Sequence, residues 1–194
     1  MVTNTVEADT RAHIVTVADE LFYARGIQSV GMDEIRSRAG VSLKKLYAAF
    51  PGKDQLVAAV LAGRHDYWEH GIAEAVAAAS SPRDRLLAMY DFLEQWFGDD
   101  TFRGCGFINA FGELGATSPS VARIAREHKE SFQRSVAELA ADVVPDRGVA
   151  AELAAQLALL AEGAQTTAAI AGDASPAGHA RRAAAVLIDA ATRA

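Results

Sequence analysis

A chain of 194 residues, 51% of them hydrophobic, is long enough to bury one sizeable core or two small ones. Abundant alanine, five prolines and the absence of any sustained apolar–polar alternation exclude a β-rich fold and predict an all-α protein. The formal charge of −6 excludes a uniformly basic nucleic-acid coat, and the lone Cys105 excludes an internal disulfide, which fits a reducing compartment.

The N-terminal MVTNTVEADT lacks the basic start and apolar core of a signal peptide, and no apolar run reaches spanning length. A soluble, cytoplasmic protein without a membrane partner is expected. Cys105 sits in an apolar stretch and reads as a small core residue, with redox sensing as the alternative. The charge is unevenly spread. Residues 1–55 carry seven basic and seven acidic side chains, so the whole deficit lies on the remainder. From Arg36 to Lys53 there are five basic residues and no acidic one. A locally basic face suffices for phosphate binding whatever the total charge.

In chain order, Thr10 is placed to cap a first helix whose apolar set is Ile14, Val17, Ala18, Leu21 and Phe22, ended by Gly26. Met32, Ile35 and Ala39 share one face of a short second helix. Asp33 and Glu34 lie in its first turn, and Gly40 stands where a left-handed cap is wanted. Ser42 then caps a third short helix that buries Leu46 and Phe50. Two short helices joined by such a turn make a helix-turn-helix, whose second helix enters the DNA major groove.

Lys44 and Lys45 occupy the first turn of that second helix, where unpaired N–H groups already make the end positive. Cations there break a local rule unless an anion such as DNA phosphate lies against them. Lys53 repeats the pattern at the start of the next helix. The plainer reading of the two lysines is a solvated face.

A long helix is predicted from about Lys53 towards Ala79, carrying Leu56, Val57, Val60, Leu61 and Trp68. It is the natural lever between an N-terminal head and a C-terminal body. His65, Asp66, Glu69 and His70 cluster on it without a third ligand at metal-binding spacing, so a solvated charged face is expected and no metal. Ser81-Pro82, Ser118-Pro119 and Ser175-Pro176 are helix starts, serine capping and proline following. The helix after Ser81 holds Met89, Phe92 and Trp96, and the glycine-rich FRGCGFINAFGELG adds Phe107, Phe111 and Glu113. Glycine makes the latter segment short, broken or mobile. Apolar walls with a few polar points suit a ligand pocket, although aromatics at helical spacing also make ordinary core.

A further amphipathic helix is predicted from Ser120 to about Val143, followed by two alanine-rich helices, roughly Val149–Ala171 and Pro176–Arg193. Leu153, Leu157 and Leu160 form one stripe, Val186 and Leu187 the other, read as a dimer interface or as intramolecular core. No catalytic constellation, phosphate-binding loop or cofactor motif has telling spacing, so no enzyme and no cofactor are expected.

Residues from about Arg11 to Trp68 resemble the DNA-binding domain of the TetR family of bacterial transcriptional regulators. The stretches that carry the likeness are DELFYARGIQSVGMDEIRSRAG and the ordered run VSLKKLYAAFPGKDQL. The resemblance implies a three-helix head over residues 1–52 and a helical effector-binding and dimerisation domain over 53–194. It further implies a homodimer on a palindromic operator in double-stranded DNA, most often as a repressor. Release would come from a small apolar or aromatic effector near Met89, Phe92, Trp96, Phe107, Phe111 and Glu113. Lys44, Lys45 and Leu43 would read or flank base edges, while Arg36, Ser42, Tyr47 and Lys53 complete the DNA-facing set. Gly31 departs from the Thr or Ser that such proteins more often carry as helix cap and phosphate contact. The alternative reading is a helical small-molecule-binding protein that does not engage DNA.

Overall fold

The computed structural model describes residues 2–193, with side chains from Val6 onward. Among the described residues there are nine α-helices and no strand: α1 (Val2–Arg25), α2 (Met32–Ala39), α3 (Leu43–Ala49), α4 (Lys53–Ala78), α5 (Pro82–Phe97), α6 (Gly106–Leu114), α7 (Pro119–Ala141), α8 (Arg147–Ala171) and α9 (Ser175–Ala191). The all-α expectation holds, and the glycine-rich stretch contributes a single short helix, α6, after four non-helical residues. The chain forms two compact units, Met1–Asp66 with Gly106–Arg126 and Tyr67–Cys105 with Glu127–Ala194. The division expected at 52/53 thus falls inside α4, and α6 joins the head. A helix of α4's 26 residues rises about 39 Å, longer than one small core, so it contributes to both units.

In the first unit, Ile14, Ala18 and Phe22 of α1 meet Ile35 of α2, Leu46 of α3, Phe50, and Leu56 and Val57 of α4 in a buried core. The α1 start differs from the expected one. Thr10 lies within the helix, and its hydroxyl donates to the Val6 carbonyl at 2.8 Å instead of capping. The apolar stripe begins only at Ile14, so the preceding turns carry no periodic signal. Arg11 donates to the Ala49 carbonyl and lays its guanidinium 4.0 Å from the Phe50 ring centroid, tying α1 to the end of α3. Arg64 of α4 binds Asp19 of α1 at 2.5 Å and stacks 3.6 Å over Tyr23. Burial raises the Asp19 carboxyl above its ordinary pKa more than Arg64 lowers it.

In the second unit, α5, α8 and α9 pack around Leu86, Met89, Tyr90, Leu93, Leu157 and Ile188. The Tyr90 hydroxyl is satisfied by the Leu157 carbonyl at 2.8 Å, and burial pushes its pKa well above the phenol range. Ala154, Ala158, Ala161 and Ala164 of α8 and Ala177, Ala180 and Ala184 of α9 are all buried, small enough for close helix approach. Arg181–Asp91 and Arg83–Asp189 fork pairs, each with one 2.7 Å contact, hold α9 to α5. The hydrogen bond from Arg83 accordingly lowers the Asp189 pKa.

Serine caps work at α5, where Ser81 accepts from the Asp84 N–H at 3.1 Å, and at α7, where Ser118 accepts from Val121. At α9 the expected cap fails. Ser175 is already helical, and the Asp173 carboxylate takes its N–H at 2.6 Å.

Candidate nucleic-acid interface

The helix-turn-helix is built by local backbone chemistry. Gly40 adopts φ +65°, and the N–H groups of Gly40 and Val41 return to the carbonyls of Ser37 and Arg36, each at 3.2 Å. This double return closes α2 in the left-handed cap geometry that favours glycine. Two residues later Ser42 caps α3 by accepting the Lys45 N–H at 3.3 Å. The seven residues of α3 bury one side chain, Leu46, and hold it against the core.

Apart from the half-buried Ala49, the rest of α3 faces outward. Leu43 is 51% and Tyr47 45% exposed, and Ser42, Lys44 and Lys45 are exposed beside them. Leu43 and Tyr47 stand one turn apart on the same face. An apolar side chain, a phenol and two ammonium groups share one short surface, which can offer methyl contact, hydroxyl donation and charge to a duplex.

The flanking candidates are less free. Arg36 lies 3.5 Å from Asp33 in an exposed pair worth at most about 1 kcal/mol, easily exchanged for a phosphate. Lys53 is half-buried, with its ammonium 5.7 Å from the Phe22 ring centroid. Part of its role is therefore packing.

Gly31 is the α2 N-cap, at φ −89° and ψ 158°, with no side-chain cap bond. A Cβ there would meet nothing within 4 Å, and Glu34 already occupies the third helical position of a capping box. Gly31→Ser should stabilise the head by about 0.5–1 kcal/mol through the cap and reduced unfolded-state freedom. A thermal melt that fails to rise would show that the hydroxyl does not reach the α2 N–H groups.

The residues expected to line an effector pocket are divided between the units. Met89, Phe92 and Trp96 belong to the second, Phe107, Phe111 and Glu113 to the first. Met89 is fully buried core. Phe92 and Trp96 are half-buried and join Trp68, Phe102 and Phe132 in an edge-to-face aromatic cluster, with Trp68–Phe132 centroids 5.2 Å apart. Phe107 is buried, whereas Phe111 is 54% exposed. Glu113 is committed to backbone donors, accepting the N–H groups of Ile27 at 2.9 Å and Gln28 at 2.8 Å. Nothing local in the sequence announces that pairing, because its partners lie 86 and 85 residues away.

The dimer candidates differ in burial. Leu153 and Leu157 are buried within their own unit, and Leu160 and Leu187 are partly buried against the same core. Val186 is 67% exposed. The exposed apolar side chains on this part of the chain also include Leu159 at 71% and Ile170 at 83%. They lie on the face of α8 opposite the stripe that periodicity selects. The spacing Leu159, Gly163, Thr166, Ile170 was the signal available for them. Cys105 is buried, with the Lys129 ammonium 3.8 Å from its sulfur.

Residues 14–60 match the family described as bacterial regulatory proteins, tetR family, and residues 82–184 the tetracyclin repressor-like C-terminal domain. The transcriptional activator FasR of Mycolicibacterium smegmatis is 31% identical over 155 residues, 78% of this chain and 66% of FasR. The transcriptional repressor NemR of Escherichia coli is 29% identical over 110 residues, 56% of this chain and 55% of NemR. The matched stretches thus span just under two thirds and about half of these relatives. The crystal structure of a TetR-family transcriptional regulator from Streptomyces coelicolor superposes with a TM-score of 0.88 at 26% identity, covering 95% of this chain and 97% of that one. No helix among the described residues is long and apolar enough to cross a membrane. Two family matches that together take in the helix-turn-helix and most of the C-terminal helices place the chain in the TetR family of bacterial regulatory proteins.

Proposed function

We propose that the protein is a ligand-responsive transcriptional repressor that binds a palindromic operator as a homodimer in the cytoplasm. The observation that carries the reading is α3, where one leucine is buried and Leu43, Lys44, Lys45 and Tyr47 are left outward after a glycine-capped turn. Lys44, Lys45 and Leu43 read or flank base edges, Ser42, Tyr47 and Lys53 hold the sugar–phosphate backbone, and Arg36 completes the DNA-facing set. The relatives include both an activator and a repressor. Repression is the sign adopted because excluding polymerase from a promoter requires only that the operator be occupied.

The homodimer rests on the apolar face that the second unit leaves uncovered. Leu159 and Ile170 of α8 and Val186 of α9 are exposed, with Leu160 and Leu187 partly buried beside them. Two-fold pairing of this face makes a four-helix bundle. The double variant Leu159→Glu, Val186→Glu should sediment as a monomer. Its operator affinity should fall by about 10²–10⁴-fold as the second half-site loses its effective concentration. A variant that stays dimeric would move the interface elsewhere.

The effector reading rests on the aromatic cluster of the second unit, which suits a small apolar or aromatic molecule. The chain's two tryptophans, Trp68 and Trp96, both belong to it, so intrinsic fluorescence reports occupancy. The decisive experiment for the whole reading is selection of duplexes from a random library by the purified protein at fixed salt. A palindrome with half-sites about 34–36 Å apart is the expected product. No enrichment would favour a helical small-molecule-binding protein without DNA.

A further inference from the structure

We infer that Glu113 is a positioning residue for the reading head, latching α6 onto the turn that leads from α1 into the helix-turn-helix. The inference rests on the operator-binding reading above and goes beyond it in assigning Glu113 neither to effector nor to DNA.

The latch is reciprocal. Glu113 accepts the backbone N–H groups of Ile27 and Gln28 at 2.9 and 2.8 Å, and the Gln28 side-chain amide returns to the Glu113 carbonyl at 2.6 Å. Both backbone donors lie in the turn just past α1, outside any helical ladder, and the carboxylate supplies their acceptor. A carboxylate bound by two N–H groups makes the stronger, charge-assisted kind of hydrogen bond. The approach is close enough to constrain the backbone. Gly26 sits at φ +85°, and a Cβ on it would come within 3.2 Å of both carboxylate oxygens. The turn then delivers Ile27 and Val30, both buried, and reaches α2 at Met32. The segment that Glu113 holds is therefore the entry to the helix-turn-helix.

α6 buries Phe107 and Ala110, and the latch adds polar contacts at its C-terminal end. A cleft of about 440 Å³ runs beneath it, walled by Phe22, Val57, Val60 and Leu61 on one side and Ile108 and Ala110 on the other. At the opposite end of α6, Gly106 rests on the aliphatic stem of Arg64. With an open cleft beside those apolar contacts, the Glu113 hydrogen bonds join the C-terminal end of α6 to the turn after α1. α6 begins at Gly106, where the chain re-enters this unit after Cys105, so the latch ties the entry to the helix-turn-helix to a helix of the same unit. In a dimer, any slack at that point becomes slack in the separation of the two recognition helices. Hydrogen bonds weaken steeply with distance and angle, so the latch has a made and a broken state rather than a continuum.

The test uses the full-length protein, the duplex it selects from a random library, and the same duplex with one base pair added between the half-sites. Glu113→Gln keeps the side-chain shape but turns one acceptor into a donor facing N–H groups. It should lose about tenfold in affinity for the selected duplex. It should lose much less for the respaced one, so discrimination between spacings shrinks. The slope of affinity against salt should stay that of the wild type, because no phosphate contact is removed. Gln28→Ala removes only the returning bond and should shift spacing discrimination the same way by less, with an unchanged melting temperature. Glu113→Gln with wild-type affinity and spacing discrimination overturns the inference. A general loss of binding that leaves spacing discrimination intact also overturns it, since lost folding alone would explain that result. If the wild type selects no palindrome, the operator-binding reading fails first and this inference falls with it.

Discussion

Phe50→Ala is expected to destabilise the head by about 3–5 kcal/mol and to remove DNA binding with it. Phe50 is fully buried and follows the last residue of α3, its N–H closing the helix on the Leu46 carbonyl at 2.8 Å. Its ring also carries the Arg11 guanidinium, so truncation opens a cavity and releases the arginine that ties α1 to the end of α3. A loss of that size is a large share of the roughly 5–15 kcal/mol that holds an ordinary domain together. Because the two units have separate cores, circular dichroism during denaturation should resolve an early transition of the first unit that the wild type lacks. Phe50→Leu, which keeps most of the volume, should cost under about 1.5 kcal/mol and retain binding. A Phe50→Ala protein that unfolds like the wild type would mean that the head core tolerates the cavity.

Replacing Lys44 and Lys45 together by alanine should leave the fold intact and abolish tight binding at physiological salt. Both side chains are exposed on α3. If each contacts a phosphate, a dimer loses four contacts, and the slope of log affinity against log salt falls by about 3.6. If they reach base edges instead, binding to nonspecific duplex should persist while the selected operator loses its advantage. Filter binding across a salt series on both duplexes separates the cases, and an unchanged operator affinity would remove the two lysines from the interface. Lys53→Ala is a useful contrast. It should weaken all sequences alike and also cost about 0.5–1 kcal/mol of stability, because Lys53 leans on the Phe22 ring.

The head was legible from local chemistry. Gly40 could only be a left-handed cap, Ser42 had a helix to start, and Ile35, Leu46 and Phe50 had the spacing of a shared core. The effector and dimer residues were harder to read for one reason. Periodicity finds the stripe that is buried but does not say against what. Leu153 and Leu157 satisfy it perfectly and are used up inside their own unit, while Leu159 and Ile170 break it and stay exposed.

What the sequence by itself determined was every feature that depends on neighbours a turn or two away. These are the all-helical composition, the turn geometry at Gly40, the caps at Ser42 and Ser81, and the outward lysines of α3. Only the tertiary structure decided the rest. It placed the unit boundary within α4, seated Lys53 on Phe22, and gave the Glu113 carboxylate to Ile27 and Gln28 across more than eighty residues. Helix periods and caps are short-range preferences written into successive residues. The partner of a buried or half-buried polar group is chosen by which elements the whole core brings together, and no local pattern encodes that choice.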